Sequence, residues 1–82
     1  MKLLDLIGNT PLLHLEDIFQ QGGINVFAKA EWRNPGGSLK DRPVKRMLME
    51  AIKNGDLTKD KTIIDSSSGN AGIAYSMIGN SL

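Results

Sequence analysis

Two loops rich in glycine, proline and serine constrain the fold most, because each follows a β-favouring run and precedes a helical pattern. Residues 34–37 (Asn-Pro-Gly-Gly) follow a predicted strand over 25–31, and residues 66–70 (Ser-Ser-Ser-Gly-Asn) follow a second predicted strand over 61–65. Proline and glycine interrupt both helices and strands. The repeated order of strand, loop and helix predicts an α/β fold in which crossover helices join the mainly parallel strands of an open sheet.

A helical pattern follows each of these loops. The first helix is predicted to begin near Arg42 and Pro43, since a proline fits the first turn of a helix but disrupts its interior. Asn54 and Gly55 are typical of a helix end. A second helix is predicted over 71–78. The apolar stripe of the first helix consists of Val44, Leu48, Ala51 and Ile52.

The remaining features of the chain are interpreted as structural. A turn is predicted over 8–11, where glycine and proline interrupt an apolar run, and a weak helical patch ends at 20–23. His14, the only histidine, lies in an apolar run and is interpreted as a structural residue. Trp32 is interpreted as a packing anchor and Asp65 as the cap of the turn that follows it.

The charge balance and the absence of cysteine exclude several classes of function. Ten lysines and arginines against nine acidic residues give a net charge of +1, which excludes the basic profile of a dedicated nucleic-acid binder. Without cysteine there is no disulfide, thiolate zinc site or cysteine nucleophile. No apolar run approaches the roughly 20 residues of a membrane span. We therefore expect a cytoplasmic protein with neither nucleic-acid nor membrane partners.

Lys40 is the strongest candidate for a reactive side chain. It follows the first loop, where strands lead into helices and where open α/β sheets bind their ligands. Its amine becomes a nucleophile when its positive charge is disfavoured, and the neighbouring positive charges at 42, 45 and 46 act in that direction. Residues 40–46 equally suit a solvated basic face. Residues 36–40 lack the ending of a nucleotide-binding P-loop.

The second loop, residues 66–70, suits a small anion. It precedes a helix whose free N–H groups and positive dipole end attract a carboxylate or a phosphate. The simpler interpretation is that one serine caps the helix and that Gly69 supplies the turn geometry. Residues 69–72 lack the glycine spacing of a dinucleotide-binding turn. Both interpretations of the loop stay open at this point.

Three motifs in order give the chain a specific resemblance. The first is Ile-Gly-Asn-Thr-Pro-Leu at 7–12, the second is Lys-Ala-Glu at 29–31 leading to Asn-Pro-Gly-Gly-Ser-Leu-Lys-Asp-Arg at 34–42, and the third is Ser-Ser-Ser-Gly-Asn-Ala-Gly at 66–72. Together they resemble the opening of cysteine synthases. These belong to the tryptophan-synthase-β-like family of pyridoxal-phosphate enzymes, which includes cystathionine β-synthase. The resemblance implies that residues 1–82 are a truncated N-terminal portion of that catalytic domain.

The resemblance implies a role for each loop. Lys40 is expected to bind pyridoxal 5′-phosphate covalently and to move the Cα proton of a small amino-acid substrate. Asn70 is expected to reach the ring hydroxyl of the cofactor as well as the substrate. The residues implied to bind the substrate carboxylate are those of the second loop and the start of the helix: Ser67, Ser68, Gly69, Asn70 and Ala71. The implied reaction is β-replacement on an activated serine, as in cysteine biosynthesis.

The chain departs from the family pattern in its residues. Relatives often carry threonine where this chain has Ser67 and Ala71, so a hydroxyl expected at the carboxylate is missing at Ala71. Serine/threonine dehydratases and threonine synthases of this fold tend to have Ser-Phe-Lys around the lysine. The Ser-Leu-Lys at 38–40 is more similar to cysteine synthases. The other two activities remain alternatives within the fold.

The chain also departs from the family in length. The family's enzymes are several times longer, and the parts that hold the cofactor phosphate and meet the pyridine nitrogen come from later sequence. We expect the isolated chain to be a very poor catalyst, since misplacement by about an ångström can cost on the order of a hundredfold in rate. A homodimer or a complementing C-terminal polypeptide would cover its open sheet edges. The alternative is a non-catalytic remnant or interaction fragment.

Overall fold

A computed structural model describes residues 2–16, 22–67 and 69–82. These residues form two short strands, β1 and β2, and two α-helices, α1 and α2, together with two 3-10 turns. The weak helical patch predicted to end at 20–23 falls partly outside the described residues. In chain order the elements are a 3-10 turn over Leu3–Leu6, β1 over Leu12–His14, β2 over Phe27–Lys29, a 3-10 turn over Glu31–Arg33, α1 over Asp41–Lys53 and α2 over Asn70–Ser81.

The two strands form a small antiparallel sheet. Leu12 pairs with Lys29, and His14 pairs with Phe27. The aromatic rings of His14 and Phe27 stack with their centroids 4.6 Å apart on an exposed part of the sheet. The predicted turn at 8–11 precedes β1, with positive φ at Gly8 (88°) and Asn9 (48°). This turn directs the chain from the N-terminal 3-10 turn into β1.

The core lies between the two α-helices. Each helix contributes two buried residues spaced four apart, which therefore lie on one helical face. Half-buried apolar residues of the N-terminal 3-10 turn pack against the same cluster. Apolar burial is the main favourable term for so small a chain. The four buried residues of this cluster are Val44, Leu48, Ala74 and Ile78.

Both predicted helices are confirmed, with small differences at their ends. Helix α1 begins one residue before Arg42 and is followed by Gly55, whose φ of 80° ends the helical path. Helix α2 is longer than the predicted 71–78. Ile52 is the exception on the α1 stripe, because it is exposed to solvent rather than packed in the core.

The predicted strand over 61–65 is not formed, and the pairing in the described sheet is antiparallel rather than parallel. Residues 61–67 have no regular secondary structure, and the side chain of Ile64 is 89% exposed. A parallel strand needs a hydrogen-bonded neighbour and cover on both faces, and no described strand lies beside this segment. An antiparallel neighbour needs no crossover helix, so β2 pairs with β1 instead.

The exposure of Trp32 and the character of the helices also bear on the predictions. Trp32 is 61% exposed, so its prediction as a packing anchor is wrong for the described part of the chain. It lies in the short 3-10 turn over Glu31–Arg33, none of whose residues is buried. Within the described ranges, no helix has the length and apolar character needed to cross a membrane.

The helix contact should dominate the free energy of unfolding. Replacing the buried Ile78 by Ala leaves a cavity between α1 and α2, and we expect a loss of about 2–5 kcal/mol. The same change at the exposed Ile64 should alter stability by no more than about 0.5 kcal/mol. Urea unfolding followed by circular dichroism measures both. Equal losses would contradict the assignment of the core.

Candidate functional site

Lys40 lies immediately before α1, at the N-cap position, and its side chain is exposed. Its backbone is held on both sides. The Lys40 N–H donates to Ser38 Oγ at 3.1 Å, and the Lys40 carbonyl accepts from the Val44 N–H at 3.2 Å. The amine is therefore carried on a fixed piece of backbone at the positive end of a helix.

Hydrogen bonds from two buried side chains close the loop before Lys40. The Asn34 amide donates to the Ser38 carbonyl at 2.9 Å, and its Oδ1 accepts from the Gly8 N–H at 2.8 Å. The Gly36 N–H donates to Asp41 Oδ2 at 2.6 Å. Gly36 must be glycine here, because a Cβ would overlap the Asp41 carboxylate. These contacts connect the loop to the turn at 8–11 and to the start of α1.

An ion pair joins the end of β2 to the first turn of α1. The Arg42 guanidinium donates to both carboxylate oxygens of Glu31, and its Nη2 also donates to Thr10 Oγ1 at 3.0 Å. The Thr10 hydroxyl donates in turn to Glu31. These hydrogen bonds, first from Arg42 and then from Thr10, lower the pKa of Glu31 from its ordinary 4.5 to about 2.

The positive charges near Lys40 are engaged by other groups. Arg42 is paired with a carboxylate as described, and Arg46 Nη2 lies 3.3 Å from Glu50 Oε1. The Lys45 amine donates to a backbone carbonyl of the N-terminal 3-10 turn at 2.9 Å. Two of the three charges are thus balanced by carboxylates, which weakens the sequence argument based on them.

The second loop leads directly into α2. Gly69 occupies the N-cap position, Asn70 is the first helical residue and is exposed, and Ala71 packs against the core. Ser68 lies outside the described residues. Ser67 Oγ accepts from the Gly72 N–H at 2.8 Å, which is the capping role given by the simpler interpretation. As an acceptor, this hydroxyl keeps its own hydrogen available to donate to an anion.

The packing of the helices brings the two loops to one end of the structure. Residues from the C-terminal ends of both helices line a single groove of about 530 Å³. The Tyr75 hydroxyl, near the middle of α2, lies 4.0 Å from the sulfur of Met47, near the middle of α1. The helices therefore run in the same direction, and Lys40 and Asn70 lie at their shared N-terminal end. The groove, at the other end, is lined in part by Ile52, Leu57, Gly79 and Leu82.

Asp65, in the segment between the helices, influences Tyr75 of α2. Interaction with the Asp65 carboxylate, followed by burial, raises the pKa of the Tyr75 hydroxyl above its ordinary 10.0. The interpretation of Asp65 as the cap of the turn that follows it stays a prediction.

Four residues that organise this region were not among the predicted site residues. They are polar or charged, and three of them are buried. The sequence did contain a signal, since a glutamate and an arginine of opposite charge stand on either side of a loop broken by proline and glycine. Thr10 gave no such signal, because only the folded turn brings it to Arg42. The four residues are Thr10, Glu31, Asn34 and Asp41.

Comparison with known protein families gives one match over nearly the whole chain. The model of the family described as pyridoxal-phosphate dependent enzyme matches residues 3–82. This family depends on pyridoxal phosphate as its cofactor. The two-stranded sheet and helices therefore form a small α/β fragment of that fold.

Three solved structures are similar to this chain in both sequence and fold. A hydrogen sulfide-producing enzyme from Fusobacterium nucleatum is 45% identical, with a TM-score of 0.87 over 94% of this chain and 25% of that one. O-ureido-L-serine synthase is 38% identical, with a TM-score of 0.89 over 98% and 25%. An O-acetylserine dependent cystathionine β-synthase from Helicobacter pylori is 34% identical, with a TM-score of 0.85 over 98% and 27%. The chain thus spans about a quarter of the length of these structures.

The Glu31 ion pair should make stability depend on pH in the acid range. Because folding lowers the Glu31 pKa, its contribution is complete above about pH 4.5 and is lost as the pH falls towards 2. Glu31→Gln should be less stable than the unmodified chain at pH 7, and the difference should shrink below pH 4. Glu50→Gln removes an exposed pair and should change stability little at either pH. Thermal unfolding at pH 7 and pH 3 tests this, and parallel behaviour of the two variants would contradict it.

The single tyrosine allows a direct test of the Asp65 contact. Asp65→Asn removes the negative charge, so the raised Tyr75 pKa should fall back towards 10.0. The absorbance of tyrosinate during an alkaline titration measures this, since the chain has no second tyrosine. Asp56→Asn, at an exposed residue beyond α1, is the control and should leave the titration unchanged. An unchanged curve for Asp65→Asn would mean that the contact does not form in solution.

Proposed function

The chain belongs to the family of pyridoxal-phosphate dependent enzymes, and on this basis we propose that it is the cofactor-binding front part of a β-replacement enzyme acting on an activated serine. Such an enzyme would serve cysteine biosynthesis. The observation that carries the proposal is the position of an exposed lysine at the shared N-terminal end of two helices. An amine beside two positive helix ends suits an aldehyde that carries negative charge.

Lys40 is the residue we assign to the cofactor. Its side chain is exposed, whereas the backbone on either side of it is fixed by hydrogen bonds. A fixed backbone with an accessible amine is the arrangement that covalent capture of an aldehyde requires. When bound, pyridoxal phosphate supplies an electron sink for the negative charge that develops at the substrate Cα. Lys40 Nζ, once displaced by the substrate amine, would accept and return the Cα proton.

The start of α2 is the site we assign to the substrate carboxylate. Ser67, with a hydroxyl hydrogen still free to donate, and Gly69 lie beside the positive end of this helix. Asn70 adds an exposed amide that can reach both the carboxylate and the ring hydroxyl of the cofactor. Ser68 and Ala71 complete the proposed set, Ala71 through its backbone N–H because it has no side-chain hydroxyl.

The substrate class follows from the relatives. O-ureido-L-serine synthase and the O-acetylserine dependent cystathionine β-synthase are both named for serine derivatives that carry a leaving group on the side chain. The alignments that give identities of 38% and 34% cover 98% of this chain. We therefore favour a serine derivative of this kind over the substrates of dehydratases or threonine synthases.

The contribution of this chain to catalysis depends on groups beyond its 82 residues. It spans 25% of the first two structures compared, so the anchor for the cofactor phosphate is expected from the remaining three quarters of such a fold. We propose that the chain is a very poor catalyst alone, and that a complementing C-terminal polypeptide or a second copy in a homodimer covers its open edges. A cytoplasmic location is part of the proposal.

Cofactor capture by the intact chain tests the proposal. Mixing the chain with pyridoxal phosphate and reducing with borohydride should place a pyridoxyl label on Lys40 in preference to the other lysines, as read by peptide mass spectrometry. Lys40→Ala should lose that label. Lys53→Ala, which removes an exposed lysine from the last turn of α1, should keep it.

Two outcomes would count against the proposal. If label is spread over all lysines in proportion to their exposure, the first loop does not form a cofactor site in this chain. The alternative of a non-catalytic fragment would then be favoured. If Lys40→Ala takes up as much label as Lys53→Ala, the amine assigned here is not the reactive one.

A further inference from the structure

Buried polar side chains of the described residues are concentrated around one short loop. Three polar residues are almost completely buried: Thr10 is 6% exposed, Asn34 is 3% and Asp41 is 1%. Each of them contacts residues 34–42 or belongs to them. Burying a polar group costs free energy unless it is hydrogen-bonded, and in a chain with a small apolar core this cost is substantial. The burial of three polar side chains around this loop therefore calls for a physical explanation.

From these contacts we infer that Thr10, Glu31, Asn34, Asp41 and Arg42, named here the polar cluster, hold Lys40 in position for reaction. The inference rests on the proposed function at Lys40. None of these five side chains is assigned to the cofactor or the substrate. They act through the backbone that carries the reactive amine, and they are therefore positioning residues.

The two ends of the loop are joined through the Arg42 side chain. Arg42 follows Lys40 by two residues, and its guanidinium is held by Glu31, which precedes the loop. Both Nη2 bonds, 3.1 Å to Glu31 Oε2 and 3.0 Å to Thr10 Oγ1, are within the usual range of N–H···O hydrogen bonds. The planar guanidinium fixes direction as well as distance. The start of α1 thus has one orientation relative to β2.

Two hydrogen bonds hold the inside of the loop. Asn34 bonds to the Ser38 carbonyl, and Gly36 bonds to Asp41, so two hydrogen bonds of 2.9 and 2.6 Å cross the loop from opposite sides. Lys40 lies between Ser38 and Asp41, the two residues that these bonds immobilise. Displacing either bond would shift the Lys40 backbone, and a shift of about an ångström can cost on the order of a hundredfold in reaction rate.

One buried carboxylate oxygen, Asp41 Oδ1, lacks a described hydrogen-bond partner. The other oxygen of this carboxylate is bonded to Gly36. A buried oxygen without a donor lowers stability and therefore needs another explanation. Its position against Gly36, where no side chain fits, means that the carboxylate fills the space that would otherwise let the loop move.

The experiment compares the site of labelling with the mobility of the loop. The variants are Glu31→Gln and Thr10→Val, each of which removes a polar contact with little change in shape, and Thr10→Ser, which keeps the hydroxyl. The label is the borohydride-fixed pyridoxyl group on Lys40 relative to that on Lys53. Mobility is the hydrogen-exchange rate of the Gly36 and Gly37 N–H groups.

We expect the preference for Lys40 to fall about tenfold or more in Glu31→Gln and Thr10→Val. Exchange at Gly36 and Gly37 should become faster in the same variants. In Thr10→Ser, the labelling preference and the exchange rates should both equal those of the unmodified chain. One control separates positioning from the loss of a carboxylate as such. Glu50→Gln makes the same chemical change in an exposed pair, and its ratio of label on Lys40 to label on Lys53 should stay unchanged. Circular dichroism establishes that every variant compared is folded.

The outcomes separate this inference from the proposed function. If the unmodified chain shows no preference for Lys40, the proposed function fails, and the exchange rates alone decide whether the cluster restrains the loop. If the unmodified chain prefers Lys40 and folded Glu31→Gln and Thr10→Val variants keep that preference, the inference is overturned while the function stands. If Glu50→Gln lowers the preference as much as they do, positioning is also overturned.

Discussion

The contact between α1 and α2 is the interaction on which the rest of this structure depends. Val44 and Leu48 pack against Ala74 and Ile78, and these four are the buried apolar residues shared by the two helices. Because the helices run in the same direction, this contact also determines that both of their positive ends point the same way. Lys40 and Asn70, which lie 30 residues apart in sequence, thereby come to one end of the described structure.

The polar cluster has a different task from the apolar core. Apolar packing orients the helices but leaves the chain free to follow several paths between β2 and α1. The hydrogen bonds of Asn34 and the ion pair of Arg42 with Glu31 select one of those paths. Such bonds contribute modestly to net stability, yet they are highly directional. The site therefore combines non-specific burial for stability with directional contacts for geometry.

Much of this arrangement could be predicted from the sequence, and the exceptions have physical reasons. Helix α1 was predictable because its apolar spacing, its early proline and Gly55 all indicate the same limits. The strand predicted at 61–65 was wrong because a β-favouring composition specifies a strand only when a neighbour supplies hydrogen bonds. Strand β1 was missed because three exposed residues carry no alternating pattern.

The candidate site also contains residues that local sequence predicts and residues that it does not. Lys40 and the second loop could be proposed as candidates from local sequence, since their residue types and their place just before a helix are visible there. The polar cluster could not, because Thr10 and Arg42 are 32 residues apart and meet only in the folded chain. Local sequence indicates which groups can react, whereas the contacts that orient them are long-range.

The exposed segment over 61–67 also affects the tendency of the chain to aggregate. Ile64 is 89% exposed on a backbone without a described strand partner, and such a surface favours intermolecular sheets. Lys59, Asp60 and Lys61 precede the two isoleucines in the sequence, and charges beside an apolar run oppose such pairing. The sequence thus places charged residues next to the side chain that is most open to aggregation.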